Sequence, residues 1–109
     1  MNLVNIPFHT TDWTKIEPTD HPGETGTATW RTLEFGDLRV RMVEYTPGYI
    51  ADHWCAKGHI LLVLEGELVT ELEDGRVFLL TPGMSYQVAD GDGKHRSVTD
   101  VGAKLFVVD

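Results

Sequence analysis

The chain has 109 residues, enough for one domain with a continuous core and no disulfide or structural metal to hold it together. Nine Lys and Arg against 17 Asp and Glu leave a net charge of −8 with no basic run, which argues against a nucleic-acid partner. Hydrophobic residues at 41 % and charged residues at 24 % separate it from disordered chains.

The longest apolar run, Ile60-Leu61-Leu62-Val63-Leu64, is far too short to span a membrane. The opening stretch "MNLVNIPFHTTDW" lacks a basic segment followed by an apolar one, so no signal peptide is expected. The single cysteine, Cys55, forbids an internal disulfide and fits a reducing compartment, with the cytoplasm as the expected location.

Residues 1–26 contain Pro7, Pro18, Pro22, Gly23 and Gly26 and read as an irregular arm that wraps the domain or a neighbouring copy. His9 and His21 fall in this arm and read as ordinary surface side chains. Residues 27–109 read as short strands separated by turn residues. "ATWRTLEF" and "DLRVRMVEY" flank Gly36-Asp37, then "ADHWC", "HILLVLE", "ELVTELE", "RVFLLT", "MSYQVA", "HRSVT" and "AKLFVVD" follow, broken by Pro47-Gly48, Lys57-Gly58, Gly66, Asp74-Gly75, Pro82-Gly83, "DGDG" and Gly102. Strands of this length at this spacing predict an all-β sandwich or small antiparallel barrel. Leu38-Arg39-Val40-Arg41-Met42 alternates strictly, with arginines on one face and apolar side chains on the other.

His53, Cys55 and His59 lie within one short stretch, although the chain has only five histidines and one cysteine. With 52–56 as a strand, His53 and Cys55 share a face, because side chains alternate with period two. A turn at Lys57-Gly58 then brings His59 beside them from the next strand. His95, after the glycine-rich loop, is the fourth candidate. Imidazole and thiolate donors suit zinc or iron. The plainer reading is also open: a strand histidine is ordinarily structural, and a lone cysteine is ordinarily a small buried hydrophobe. Spacing alone does not choose.

No Gly-x-Ser-x-Gly, dinucleotide fingerprint or phosphate loop occurs. Asp90-Gly91-Asp92-Gly93 resembles the start of a calcium loop, but the twelfth position is Val101, so it reads as a turn. Glu65, Glu67, Glu71 and Glu73 read as a solvated face, and Tyr49, Tyr86 and Trp30 as pocket or core aromatics.

Residues 40–108 resemble the cupin superfamily. Its first motif, Gly, His-x-His, Glu, Gly in that order, is matched by Gly48, His53-x-Cys55, His59 and Gly66. Its second, Gly, Pro-x-Gly, His, Asn, is matched by Gly83, Ala89-x-Gly91, His95 and Thr99 with one residue inserted. Asp52-His53-Trp54-Cys55 is also similar to the signature of a small cupin group of uncharacterised function labelled by a "DHCW" motif.

The resemblance implies a single-domain cupin, a small antiparallel β-barrel of jelly-roll type, with one ion between the motifs. It implies His53, Cys55, His59 and His95 as the ligands, with Cys55 in place of a His and His59 in place of a Glu. Zinc or iron is the expected cofactor, with nickel or manganese as further options. The function implied is a metal-dependent enzyme, a dioxygenase, isomerase or decarboxylase, acting on a small organic molecule. In that reading Arg39, Arg41 or Arg96 holds a substrate carboxylate. The alternative is a non-catalytic zinc- or ligand-binding module whose ion is saturated by Cys55. The resemblance also implies a homodimer, with Leu3, Val4, Ile6 and Phe8 of the arm covering part of a barrel edge.

Overall fold

Alternating side chains and turn glycines build nine strands, and a computed structural model describes them over residues 3–109. They are β1 (Thr19–Pro22), β2 (Thr27–Phe35), β3 (Leu38–Tyr45), β4 (His59–Gly66), β5 (Leu68–Leu72), β6 (Val77–Leu80), β7 (Ser85–Val88), β8 (His95–Val98) and β9 (Ala103–Val108). All pairings are antiparallel. One sheet runs β1-β2-β3-β9-β4-β7 and the other β6-β5-β8. The all-β expectation holds, and the inner faces of the two sheets meet in the jelly-roll manner.

The core lies between the sheets. Val43, Leu61, Val63, Ala103, Leu105 and Val107 come from the larger sheet, Leu68 and Leu80 from the smaller, and Val63, Leu68 and Leu105 have no exposure at all. These residues recur at every second position of β3, β4, β5 and β9, as strands buried on one face require. Among the described residues no helix is long and apolar enough to cross a membrane.

The arm is more regular than its prolines suggest. Asp12 caps a short 3₁₀ turn at Trp13–Lys15, and β1 adds Thr19–Pro22 to the edge of β2. Side chains fix this pairing: Thr29 donates to Asp20 at 3.1 Å, and the His21 ring stacks on Trp30 at 3.7 Å. Residues 3–8 are exposed, Phe8 to 96 %.

A close approach at one end of the barrel depends on glycine. β4 and β9 pair Val63 with Leu105 but Glu65 with Lys104, so Leu64 is one extra residue, a bulge. Gly66 follows at φ 76° against the backbone of Gly102, itself at φ 93°. A Cβ on Gly66 would overlap the Gly102 carbonyl oxygen.

Candidate metal and ligand site

β8 opens with His95, which pairs with Leu72 of β5 on one side and Cys55 on the other. Cys55 and His95 exchange both backbone hydrogen bonds, at 2.8 and 3.0 Å. Directly opposed residues in an antiparallel pair point their side chains to the same face. Cys55 and His95 are therefore neighbours.

The strand expected over 51–55 does not form. Ile50 pairs with Val98 and Cys55 with His95, so five steps along this segment (50 to 55) match three along β8 (98 to 95), and the surplus is looped out. His53 rides on that loop. Its side chain is 74 % exposed, with Nδ1 2.6 Å from the Asp52 carboxylate. The period-two argument that joined His53 to Cys55 fails because the backbone between them is bent. Nor does Lys57-Gly58 turn a hairpin. The chain crosses there to the other sheet, where His59 begins β4 paired with Val88 of β7.

That crossing places His59 opposite His95, with ring centroids 4.8 Å apart. With His59 as the Nδ1–H tautomer, the Tyr86 hydroxyl donates to its Nε2 at 2.7 Å. Burial pushes the Tyr86 phenol well above its ordinary pKa, so it keeps the proton it donates. Burial, His95, Arg41 and Arg39 together push His59 down to about 4 against the opposing pull of Asp109. His95, 4 % exposed, is lowered by burial against a hydrogen bond to the Gly93 backbone. Both imidazoles are thus neutral at neutral pH, the form that offers a lone pair to a metal. His95 Nε2 is buried and has no hydrogen-bond partner. The Cys55 sulfur, half-buried, accepts from the Lys57 N–H at 3.4 Å.

The structure therefore brings Cys55, His59 and His95 to the barrel interior and leaves His53 outside. Among the described residues, no three His, Cys, Asp or Glu side chains converge closely enough to hold an ion as they stand. His9 lies tilted against Phe35 and His21 stacks on Trp30, in keeping with their reading as ordinary side chains.

The arginine face of β3 turns inward. Arg39 reaches Asp109 with two nitrogens, at 3.0 and 2.9 Å, and Arg41 adds a third bond at 2.9 Å. The Trp30 ring covers Arg41, with the guanidinium carbon 4.4 Å from the ring centroid. Arg96 instead pairs with Glu71 at 2.6 Å and lies 4.7 Å from the Trp54 ring.

A cleft of about 650 Å³ opens between the free edges of β6 and β7 and runs inward to Thr70, Tyr86 and His95. Its walls include Leu72, Phe78 and Leu80. A second cleft, about 740 Å³, reaches His59 and Asp109 from the side of Lys57 and Asp90. Thr70 and Asp109 were not legible as site residues. Asp109 belongs to no motif, and its signal was indirect: two arginines on the core-facing parity of β3 need a buried carboxylate.

No protein-family model and no curated protein matches the chain. Solved structures do. A predicted oxalate decarboxylase from Thermotoga maritima superposes with a TM-score of 0.77 at 15 % identity, over 92 % of this chain and 96 % of its own. A polyketide cyclase from Streptomyces resistomycificus gives 0.74 at 20 %, over 94 % and 78 %. An RmlC-like cupin from Shewanella frigidimarina gives 0.72 at 23 %, over 94 % and 89 %. At these identities the likeness establishes the fold.

Proposed function

We propose, from the cupin fold that these likenesses establish, that the chain holds one transition-metal ion between His59, His95 and Cys55 and uses it on a small organic molecule entering through the 650 Å³ cleft. The observation that supports this most is His95, an imidazole 4 % exposed whose Nε2 has no partner, with a second imidazole 4.8 Å away. A buried acceptor left unpaired costs about 1–3 kcal/mol, and a bound ion would remove that cost. Two imidazoles and a thiolate are donors suited to zinc or iron. His53 would join them only by turning away from Asp52.

When bound, the ion would supply Lewis-acid polarisation of a substrate oxygen. The chain's own groups do the rest. Tyr86 orients His59 and keeps a proton on its hydroxyl at the inner end of the cleft. Leu72 and Leu80 present an apolar wall that disfavours water there. The solved neighbours named as a decarboxylase and a cyclase lend weight to small-molecule chemistry on this fold.

The second reading is a non-catalytic zinc module, favoured by the direct pairing of Cys55 with His95. Either reading includes pairing of two copies, which the exposed Leu3, Val4 and Phe8 of the arm support.

Metal content by plasma mass spectrometry tests the proposal, on the wild type, a His59→Ala/His95→Ala double variant and Cys55→Ser. Near one equivalent in the wild type and none in the double variant is expected. Full retention of iron by Cys55→Ser would favour the enzyme, and loss of zinc from it would favour the module. No metal in any of the three after reconstitution refutes both.

A further inference from the structure

The larger sheet is apolar on its outer face as well as its inner one. Across β3, β9 and β4, Met42, Phe106 and Leu62 stand in one register row, and Val40, Val108 and Ile60 in the next. Opposed residues of an antiparallel pair share a face. These six alternate with the buried Val43, Leu105, Val107 and Leu61, so both rows point away from the core. Five are half-buried, and Ile60 is 48 % exposed. The neighbouring row, Glu44, Lys104 and Glu65, is charged and borders them.

The arm covers this face only in part. Arg31, in the Met42 row, donates to the carbonyls of Trp13 and Ile16, and the Trp13 ring meets Phe106 edge-on at 6.3 Å. Closer to the N-terminus, His9 lies against Phe35 at the end of β2. The arm thus runs from the middle of the face toward β2, away from Ile60 and Leu62 on β4. Leu3, Val4, Ile6 and Phe8 lie beyond His9 in the chain and are exposed, Phe8 to 96 %.

Charge selects the occupant. Neither apolar row contains a carboxylate, although the chain has a net charge of −8. A basic partner finds nothing there to pair with, and the chain as a whole repels an anionic surface. A second copy carries the same charge and meets least repulsion where no carboxylate stands. It also brings an exposed apolar arm to an exposed apolar face.

We propose that two copies pack through these faces, with residues 3–8 of each arm lying across Ile60 and Leu62 of the other. The exchange is reciprocal, as a two-fold interface requires. Phe8 alone would bury about 150–250 Å² of the roughly 800 Å² per copy that a standard interface covers. Leu38 and Ile60 also line the second cleft, so the arm of the other copy would cover its rim and leave the first cleft open. This deepens the pairing proposed above and does not depend on the ion.

Sedimentation velocity of the full chain over a micromolar concentration series tests it, with Phe8→Asp, Ile60→Glu and, on the exposed β6 edge, Leu79→Glu as a control. The wild type and Leu79→Glu are expected to be dimers of equal affinity. Phe8→Asp and Ile60→Glu should each raise the dimer Kd at least about tenfold, because each sets a carboxylate into an apolar contact. Phe8 is almost fully exposed, so its variant reads the interface even where Ile60→Glu fails to fold. In a mixture of isotope-labelled and unlabelled copies, filtered NMR spectra should show Phe8 beside Ile60 between copies. A monomeric wild type, a dimer indifferent to Phe8→Asp, one broken equally by Leu79→Glu, or a Phe8–Ile60 contact within one chain overturns the inference. Metal content of the same samples separates the readings. A dimer broken by Phe8→Asp in a chain that takes up no ion upholds the pairing while the metal reading falls, and a monomeric wild type that holds its ion does the reverse.

Discussion

His59 and His95 sit in the same interior yet are not equivalent: Nε2 of His59 is occupied by the Tyr86 hydroxyl at 2.7 Å, and Nε2 of His95 is bare. An incoming ion would compete with a proton donor at one imidazole and with nothing at the other. Tyr86→Phe removes the competitor while keeping the ring. Zinc affinity of that variant is expected to rise about threefold to tenfold, read by competition with a chromophoric chelator. Unchanged or weaker affinity would mean that the phenol does not guard His59. Scarcity of imidazole and thiolate made His53, Cys55 and His59 candidates with the more distant His95, and the cupin resemblance implied all four as ligands. Both misplaced His53, since its exposure depends on how many residues lie between two bridges, a count set by the partner strand.

Strands with clear alternation and a glycine or Asp-Gly at each end, such as β3 or β9, were legible to within a residue or two. β1 was not, because "TDHP" has no apolar alternation and gains its pairing from Trp30 and Thr29 of β2. The segment 51–55 erred the other way, with strand-like residues interrupted by a bend. The junction of β4 with β9 shows how narrowly an element can depend on one position. Gly66→Ala would place a methyl group into the Gly102 carbonyl at a positive φ, and is expected to cost about 3 kcal/mol or more. Chemical denaturation reads that loss directly. A cost under about 1 kcal/mol would show that the bulge at Leu64 relaxes to admit the side chain.

Across the whole molecule, the Arg39–Asp109–Arg41 cluster ties β3 to the residue after β9. Burial by itself pushes the Asp109 carboxyl up, but the Arg39 hydrogen bonds and the charges of Arg41, Arg39 and Lys57 hold it below its ordinary value. A carboxyl lowered by folding contributes stability that is complete above its unfolded pKa of about 3.9 and is lost as pH falls through the lower folded value. Acid unfolding should therefore draw on Asp109 below about pH 4. Asp109→Asn leaves Arg41 buried without its counter-charge, and should cost about 3–5 kcal/mol at neutral pH. The variant should also lose part of the stability difference between pH 7 and pH 3. Identical pH dependence in wild type and variant, by urea denaturation at the two pH values, would sink the assignment.

The loop that carries His53 has a consequence for rate. Ala51 bonds to Ser97 on one side of it and Cys55 to His95 on the other, so the ladder is closed at both ends of the surplus residues. His53 can swing without breaking a rung of that ladder. For an ion held by Cys55, His59 and His95, this detachable neighbour would act as a latch that moves at the pace of one exposed side chain while both bridges stay closed.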